Sequence, residues 1–387
     1  MSFARVILRP RFISIIAYTI GAICVQAASS GSSPSAITYP RIGAIPSINS
    51  PEVQAWLKEI DLSGSPLIGL NHGVPPDCPA KIDSSVCYWT CQGCAEDDVV
   101  ACPNPNVWGL TFDDGPTEVT TSLLKVLHKE NVKATFFLIG GNVVQFPEVV
   151  KAELEQGHHL ASHTWSHHTL TTLTNEQIVA EMKWTEKAIE DATGYRVKYM
   201  RPPYGDVDNH VRFVLKKLGY IIVDWTGDAF DTDDWKIPMK QANVSSVTTH
   251  FKKSAATYNA NKSLSKKGFI SLEHDLSVET VRVAKELIPY GTSHGLIIQS
   301  IPNCLHDATP YAAMNGVVKG VNGSHSTTGS SGMNTGAQSQ KGKNDMVTST
   351  SVSTSAGASR QHFLGHALML SPTILALGPI VVAILAL

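Results

Sequence analysis

WGLTFDDGP, residues 108–116, is the stretch on which the reading of this chain turns. Trp108, Leu110 and Phe112 alternate with Gly109 and Thr111, the period of one face of a sheet. The strand ends in two adjacent carboxylates, Asp113 and Asp114, and Gly115 with Pro116 then turns the chain. The carboxyl end of a strand is where α/β folds place their chemistry. Neighbouring aspartates repel unless a positive group holds one of them. Taken alone, the stretch reads equally as a solvated Asp-Asp-Gly turn, so the decision rests on residues further along.

From Val107 the pattern alternates strand and helix. Strands are expected over 107–113, 134–139, 159–162, 199–200, 220–225, 269–273 and 296–301. Helices are expected over 117–130, 147–156, 175–193, 209–218, 238–258 and 278–287, with Thr174 capping the third and Gly194 stopping it. This alternation predicts an α/β fold with a mainly parallel sheet, either a barrel or an open sheet. With seven expected strands, a closed eight-strand barrel is not required.

The ends have a different character. Arg5, Arg9 and Arg11 precede an apolar run over 12–24, and Val25-Gln26-Ala27 follows, which predicts a signal peptide over 1–27. An uncleaved anchor is the alternative, but the run is short for a membrane span. At the other end, small residues over 355–359, a polar spacer over 360–366 and an apolar terminus over 367–387 form the order of a glycosylphosphatidylinositol signal. Attachment is expected near Ser355, with residues 358–387 removed. Residues 312–357 are rich in Ser, Thr, Gly and Asn and read as a disordered stalk. The expected location is the outer face of a plasma membrane, or the cell wall. A formal net charge of -2 over 387 residues gives no argument for nucleic acid.

Residues 28–106 read as an N-terminal extension packed on the main domain, with a helix over 51–62. The extension holds five of the six cysteines outside the leader, and an even number in an oxidising compartment suggests disulfides. The spacing of Cys87, Cys91 and Cys94 also admits zinc, although no matching His or Cys pair follows closely. Asn243, Asn261 and Asn322 each open an N-x-S acceptor for glycosylation.

Four further groups fall at or just after strand ends. His163-Thr164-Trp165-Ser166-His167 places two histidines four apart, on one face of a helical turn. With Asp114 they make a His, His and Asp set suited to Zn²⁺ with a position open for water. In Arg201-Pro202-Pro203-Tyr204-Gly205 the prolines stiffen the backbone, and a rigidly held Arg201 suits a carboxylate partner. Asp231-Thr232-Asp233-Asp234-Trp235 is acidic with a large aromatic, and Leu272-Glu273-His274-Asp275 puts a histidine at a strand end. Singly, these read as surface histidines, a structural turn, a solvated loop and a satisfied core histidine.

In order and spacing the five groups resemble the motifs of the family 4 carbohydrate esterases, the NodB-type polysaccharide deacetylases. The resemblance covers about residues 107–306, and the flanks PNVWGL and FISLEHD look most like fungal chitin deacetylases. It implies a deformed (β/α) barrel with fewer than eight regular strands, spanning 107–311. It implies one divalent metal, Zn²⁺ or Co²⁺, held by Asp114, His163 and His167. Asp113 matches the general base and contacts substrate, Arg201 orients it, His274 matches the general acid and Asp234 tunes that acid. The Tyr204 N–H matches an oxyanion donor, Leu272 lines the acetate pocket and Trp235 walls it. Cys102 precedes the first strand and Cys304 follows the last; a barrel joins those ends and the fungal relatives look similar there, so a Cys102–Cys304 disulfide is expected. The implied activity is removal of N-acetyl groups from chitin or chitin oligomers by a monomer. The alternatives are a deacetylase of another N-acetylglucosamine polymer, an acetylxylan esterase, or a non-catalytic chitin-binding wall protein.

Overall fold

The computed structural model describes residues 38–73, 78–261 and 263–313. The expected leader, the stalk beyond residue 313, Asn322, the attachment site near Ser355 and the apolar tail lie outside the described residues. Among the described residues no helix is long and apolar enough to cross a membrane.

Six short parallel strands lie side by side in the order Ile221–Ile222, Tyr199–Met200, His159–Ser162, Thr135–Leu138, Thr111–Asp113, Glu273–His274. The first expected strand is divided: Val107–Gly109 pairs with Ile297–Gln299 and Phe269–Ile270, whereas Thr111–Asp113 pairs with Thr135–Leu138 and Glu273–His274. The change of neighbour occurs at Leu110, whose N–H donates to Gln299 O while its carbonyl accepts from Thr135 N–H. Such a stagger is what curls a sheet into a barrel. Closure is completed by single bonds. Val99 bridges Val223, and the chain over 226–232 reaches strand 269–274 through Thr226 N–H to Ile270 O and Leu272 N–H to Phe230 O. The result is a deformed (β/α) barrel with fewer than eight regular strands.

The alternation at 107–113 sorts the side chains. Trp108, Leu110 and Phe112 pack outward into the main core with Phe136 and Leu138, beneath the helices. Val107 joins the smaller cluster with Phe137, Ala161, Tyr199, Val223 and Ile270. Thr111 and Asp113 share that inner face, because successive strand residues point to opposite sides. The helix Asn175–Thr193 has a reciprocal capping box between Thr174 and Gln177, and Gly194 ends it in the left-handed region at φ 74. The helix expected over 117–130 covers Thr120–Lys129, and two others shift further. The one expected from 238 starts at Val244, because Asn243 and Ser246 cap each other there. The one expected to stop at 287 continues through Pro289 to Ser293.

The extension packs into the same core. Val53 is fully buried, Trp56 meets Trp184 edge-on with centroids 5.3 Å apart, and Tyr39 stacks on Trp165. Its helix covers Pro51–Lys58. The cysteine sulfurs are paired as Cys78–Cys91, Cys87–Cys94 and Cys102–Cys304, which removes the zinc alternative for Cys87, Cys91 and Cys94. Cys102–Cys304 joins the chain just before the first strand to the helix that follows strand Ile297–Gln299, across a separation of 202 residues. A cross-link over so long a loop removes much chain entropy from the unfolded state. The paired variant Cys102→Ser/Cys304→Ser is expected to lose roughly 3–5 kcal/mol in denaturant unfolding.

Candidate active site

The site forms above the carboxyl ends of the central strands. Asp113 closes strand Thr111–Asp113 and Asp114 turns away from it in the left-handed region at φ 73. The Asn142 amide donates to Asp114 O at 2.9 Å and fixes that turn. The two carboxylates therefore face different partners.

His163 to His167 is not a helical turn. Thr164 and His167 both have positive φ, 66° and 58°, and the segment is a loop. The spacing of four still brings the imidazole centroids to 5.0 Å. A buried carboxylate shapes the loop: Glu181 accepts from Trp165 N–H at 2.8 Å, Ser166 N–H at 2.9 Å and the Ser166 hydroxyl at 2.6 Å. These bonds take the N–H groups a helix would have used itself. Gly140 and Gly141 N–H hold the loop's carbonyls from the other side. A Cβ at Gly140 would lie 2.7 Å from both Thr185 Oγ1 and the Trp165 ring, so the approach needs glycine. Burial pushes the Glu181 carboxyl up to about 7, against these hydrogen bonds.

Asp114 Oδ1 lies 3.4 Å from His163 Nε2 and 3.1 Å from His167 Nε2. It is buried and accepts no hydrogen bond. His163 Nδ1 is 2.8 Å from Arg201 O, and a carbonyl only accepts, so Nδ1 carries the proton and Nε2 presents a lone pair. Ligand atoms of Asp114, His163 and His167 all lie within 4.8 Å of one another. Burial opposes charge on Asp114, but His167, His163 and His274 outweigh it and hold the carboxyl well below its usual range. Converging lone pairs, an orphaned carboxylate oxygen and a fixed tautomer suit a divalent ion.

Asp113 Oδ1 accepts from Arg201 Nη1 at 2.8 Å, while Oδ2 stays 3.8 Å from His163 Nε2. Arg201 is fully buried and also donates to Thr111 Oγ1, Val223 O and Asp224 O. Opposite, His274 Nδ1 meets Asp234 Oδ1 at 2.7 Å, and His274 N–H donates to Asp234 Oδ2 at 2.9 Å. Burial works to lower the His274 pKa, but Asp234 above all, with Asp114 and Asp113, carries it up to about 10. Its Nε2 is 3.9 Å from Asp114 Oδ2. The Tyr204 ring lies 4.6 Å from His167, and Tyr204 itself has φ 61. Leu272 is buried beside the bridge to Asp231, and Trp235 is partly exposed under the Lys236 ammonium. Asn243 and Asn261 lie away from this group, at the two caps of helix Val244–Ala260.

Sequence reasoning missed Glu181, Asn142 and a set of buried acids. A signal for Glu181 was present: it shares the core face of its helix with Ile178, Met182, Thr185 and Ile189, where a carboxylate needs a partner. Asp275 sits against Gly115, where a Cβ would come within 2.6 Å of both its oxygens, and burial pushes it up to about 7. Glu273 accepts from the Ser271 hydroxyl and is pushed by burial to about 8. Asp224 and Glu153 have no side-chain hydrogen bond, and burial raises both well above the carboxylate range.

Residues 101–223 match the polysaccharide deacetylase family model. Chitin deacetylase 1 of Cryptococcus neoformans is 40% identical over 284 residues, 71% of this chain and 60% of that protein. The chitin deacetylase of Amylomyces rouxii is 35% identical over 266 residues, 66% of this chain and 59% of that protein. The chain thus spans about three fifths of these curated relatives. The solved chitin deacetylase of Colletotrichum lindemuthianum is 32% identical, over 56% of this chain and 96% of that one, at a TM-score of 0.49. The chain belongs to the polysaccharide deacetylase family. In this member Glu181 holds the His163–His167 loop through Trp165 and Ser166. Glu181→Gln would set an amide N–H₂ against the loop's own donors, and is expected to weaken Zn²⁺ binding to metal-free protein about tenfold, read by titration calorimetry.

Proposed function

We propose that this chain hydrolyses the N-acetyl groups of N-acetylglucosamine residues in chitin, giving chitosan and acetate. The observation that carries the reading is the division of labour at one strand end. Asp113 is held by Arg201, and Asp114 stands with two histidines. An amide is a weak electrophile with a poor leaving group, so its hydrolysis needs help at the carbonyl, the water and the nitrogen. A divalent ion held by Asp114, His163 and His167, proposed as Zn²⁺ with Co²⁺ as a substitute, would polarise the carbonyl and acidify water. Asp113, with Oδ1 held by Arg201, takes the proton of the attacking water on Oδ2. The Tyr204 N–H donates to the developing oxyanion. His274, kept protonated by Asp234, delivers a proton to the departing amine. Leu272 lines the pocket for the acetyl methyl group, and Trp235 walls the groove.

The chitin assignment is supported by the names of the relatives. The proposed place of action is outside the cell, after secretion and with a glycosylphosphatidylinositol anchor near Ser355. Its support is the disulfides, which form and persist in oxidising compartments.

Purified protein is expected to release acetate from chitin oligomers, to lose this with a chelator and to regain it with Zn²⁺. Acetylxylan in parallel tests the esterase alternative. Asp113→Asn is expected to cost about a thousandfold in kcat; acetate release at the unaltered rate would sink the mechanism. Asp234→Asn removes the main charge that raises the His274 pKa, so His274 deprotonates at lower pH. The alkaline limb of kcat/KM should therefore move to lower pH, and an unmoved limb would count against His274 as the acid.

A further inference from the structure

The N-terminal extension meets the site at Trp165, through Tyr39 and Arg41, and at the Tyr204 loop. Tyr204 is a non-glycine residue in the left-handed region, a conformation that persists only where surroundings impose it. Two bonds come from its own turn, Gly205 N–H to Pro202 O and Asp206 N–H to Pro203 O. Three more come from residues 88–90. The Thr90 hydroxyl donates to Gly205 O at 2.8 Å and lies 3.3 Å from Tyr204 O. Trp89 N–H donates to Val207 O at 3.0 Å. The Tyr88 hydroxyl donates to Asp206 Oδ1 at 2.6 Å, and the same carboxylate accepts Thr171 N–H. The Trp89 ring also covers Gly205, where a Cβ would fall 2.7 Å from it and 2.9 Å from Trp225.

Residues 88–90 are themselves pinned. Cys87–Cys94 and Cys78–Cys91 bracket them, and the buried Arg212 guanidinium grips the carbonyls of Cys87 and Cys94. Through Tyr88, Trp89 and Thr90 this pinned segment is hydrogen-bonded to residues 204–207.

We infer that residues 88–90 act as a positioning clamp for the Tyr204 loop, with the Thr90 hydroxyl as the residue that sets its carbonyls and thereby aims the Tyr204 N–H. The inference rests on the proposed role of that N–H. The Pro203 ring restrains the chain before Tyr204 and Thr90 restrains it after, so the N–H keeps one direction. The clamp acts on a group that gains its bond only as the oxyanion forms, so its loss falls on kcat and spares KM.

The test compares Thr90→Val and Thr90→Ser with the unaltered full chain on chitin oligomers. It adds deuterium exchange of the peptide covering 201–206. Thr90→Val should lower kcat about tenfold, a fraction of the loss of a whole oxyanion donor. KM and the thermal midpoint should stay unchanged, and exchange at 201–206 should rise. Thr90→Ser keeps the hydroxyl and should restore both. Unaltered kcat and exchange in Thr90→Val, a loss that appears in KM, or failure of Thr90→Ser to rescue would each overturn the clamp. If the unaltered chain releases no acetate, the functional reading falls, while the exchange comparison still decides whether Thr90 holds the loop.

Discussion

The buried guanidinium of Arg201 is the interaction on which the rest of the site depends. Taking such a charge out of water costs several kcal/mol unless its donors are met. Here they are met by Asp113, Thr111 and the carbonyls of Val223 and Asp224, with the Phe137 ring 4.3 Å below. The backbone of the same residue works too. Its N–H donates to Ser162 O, at the end of the strand that leads to His163, and its carbonyl accepts the hydrogen bond from His163 Nδ1–H. One residue therefore sets the angle of Asp113 and the tautomer of His163 together.

Around that centre the loops share a device. Three of them are held by a buried carboxylate that accepts backbone N–H groups. Glu181 holds Trp165 and Ser166, Asp206 holds Thr171, and Asp234 holds His274 through both its N–H and its ring. Irregular backbone at a strand end leaves donors unpaired, and a buried N–H without a partner is costly. A carboxylate can accept several such bonds at once, so it fixes a loop without imposing a helix. The site is set before any ligand arrives, which is the condition for electrostatic help at a transition state.

Much of this was legible in the sequence because period and position carry it. The alternation at 107–113 decides which side chains enter the barrel, and the motif residues end strands. Asp113 beside Arg201 and Asp114 beside His163 and His167 follow once those ends converge. What stayed hidden depends on long-range partners. The histidine pair looked helical because spacing of four suits a helix, but Glu181 takes the N–H groups from 15 and 16 positions away. The barrel's closure was equally hidden, because its last joints are single bridges at Val99 and Asp231 with no strand pattern of their own. The grip of Thr90 on the Tyr204 loop spans 115 residues and leaves no local mark.

The buried acids make the domain a store of protons. Glu273 and Asp275 ionise near 4.5 and 3.8 when exposed, but at about 8 and 7 when folded. Glu181, Glu153 and Asp224 are raised as well. The folded chain therefore holds more protons than the unfolded one, and stability falls as pH climbs through this window. His158 and His159 act in the opposite sense. Burial depresses both to about 3, so acidification below 6.5 favours the unfolded chain, where they can charge. Above 6.5 that counterweight has gone, and His274, raised to about 10 in the folded chain, adds its own loss to that of the acids. Through these buried groups the barrel loses stability as pH rises from mildly acidic to alkaline.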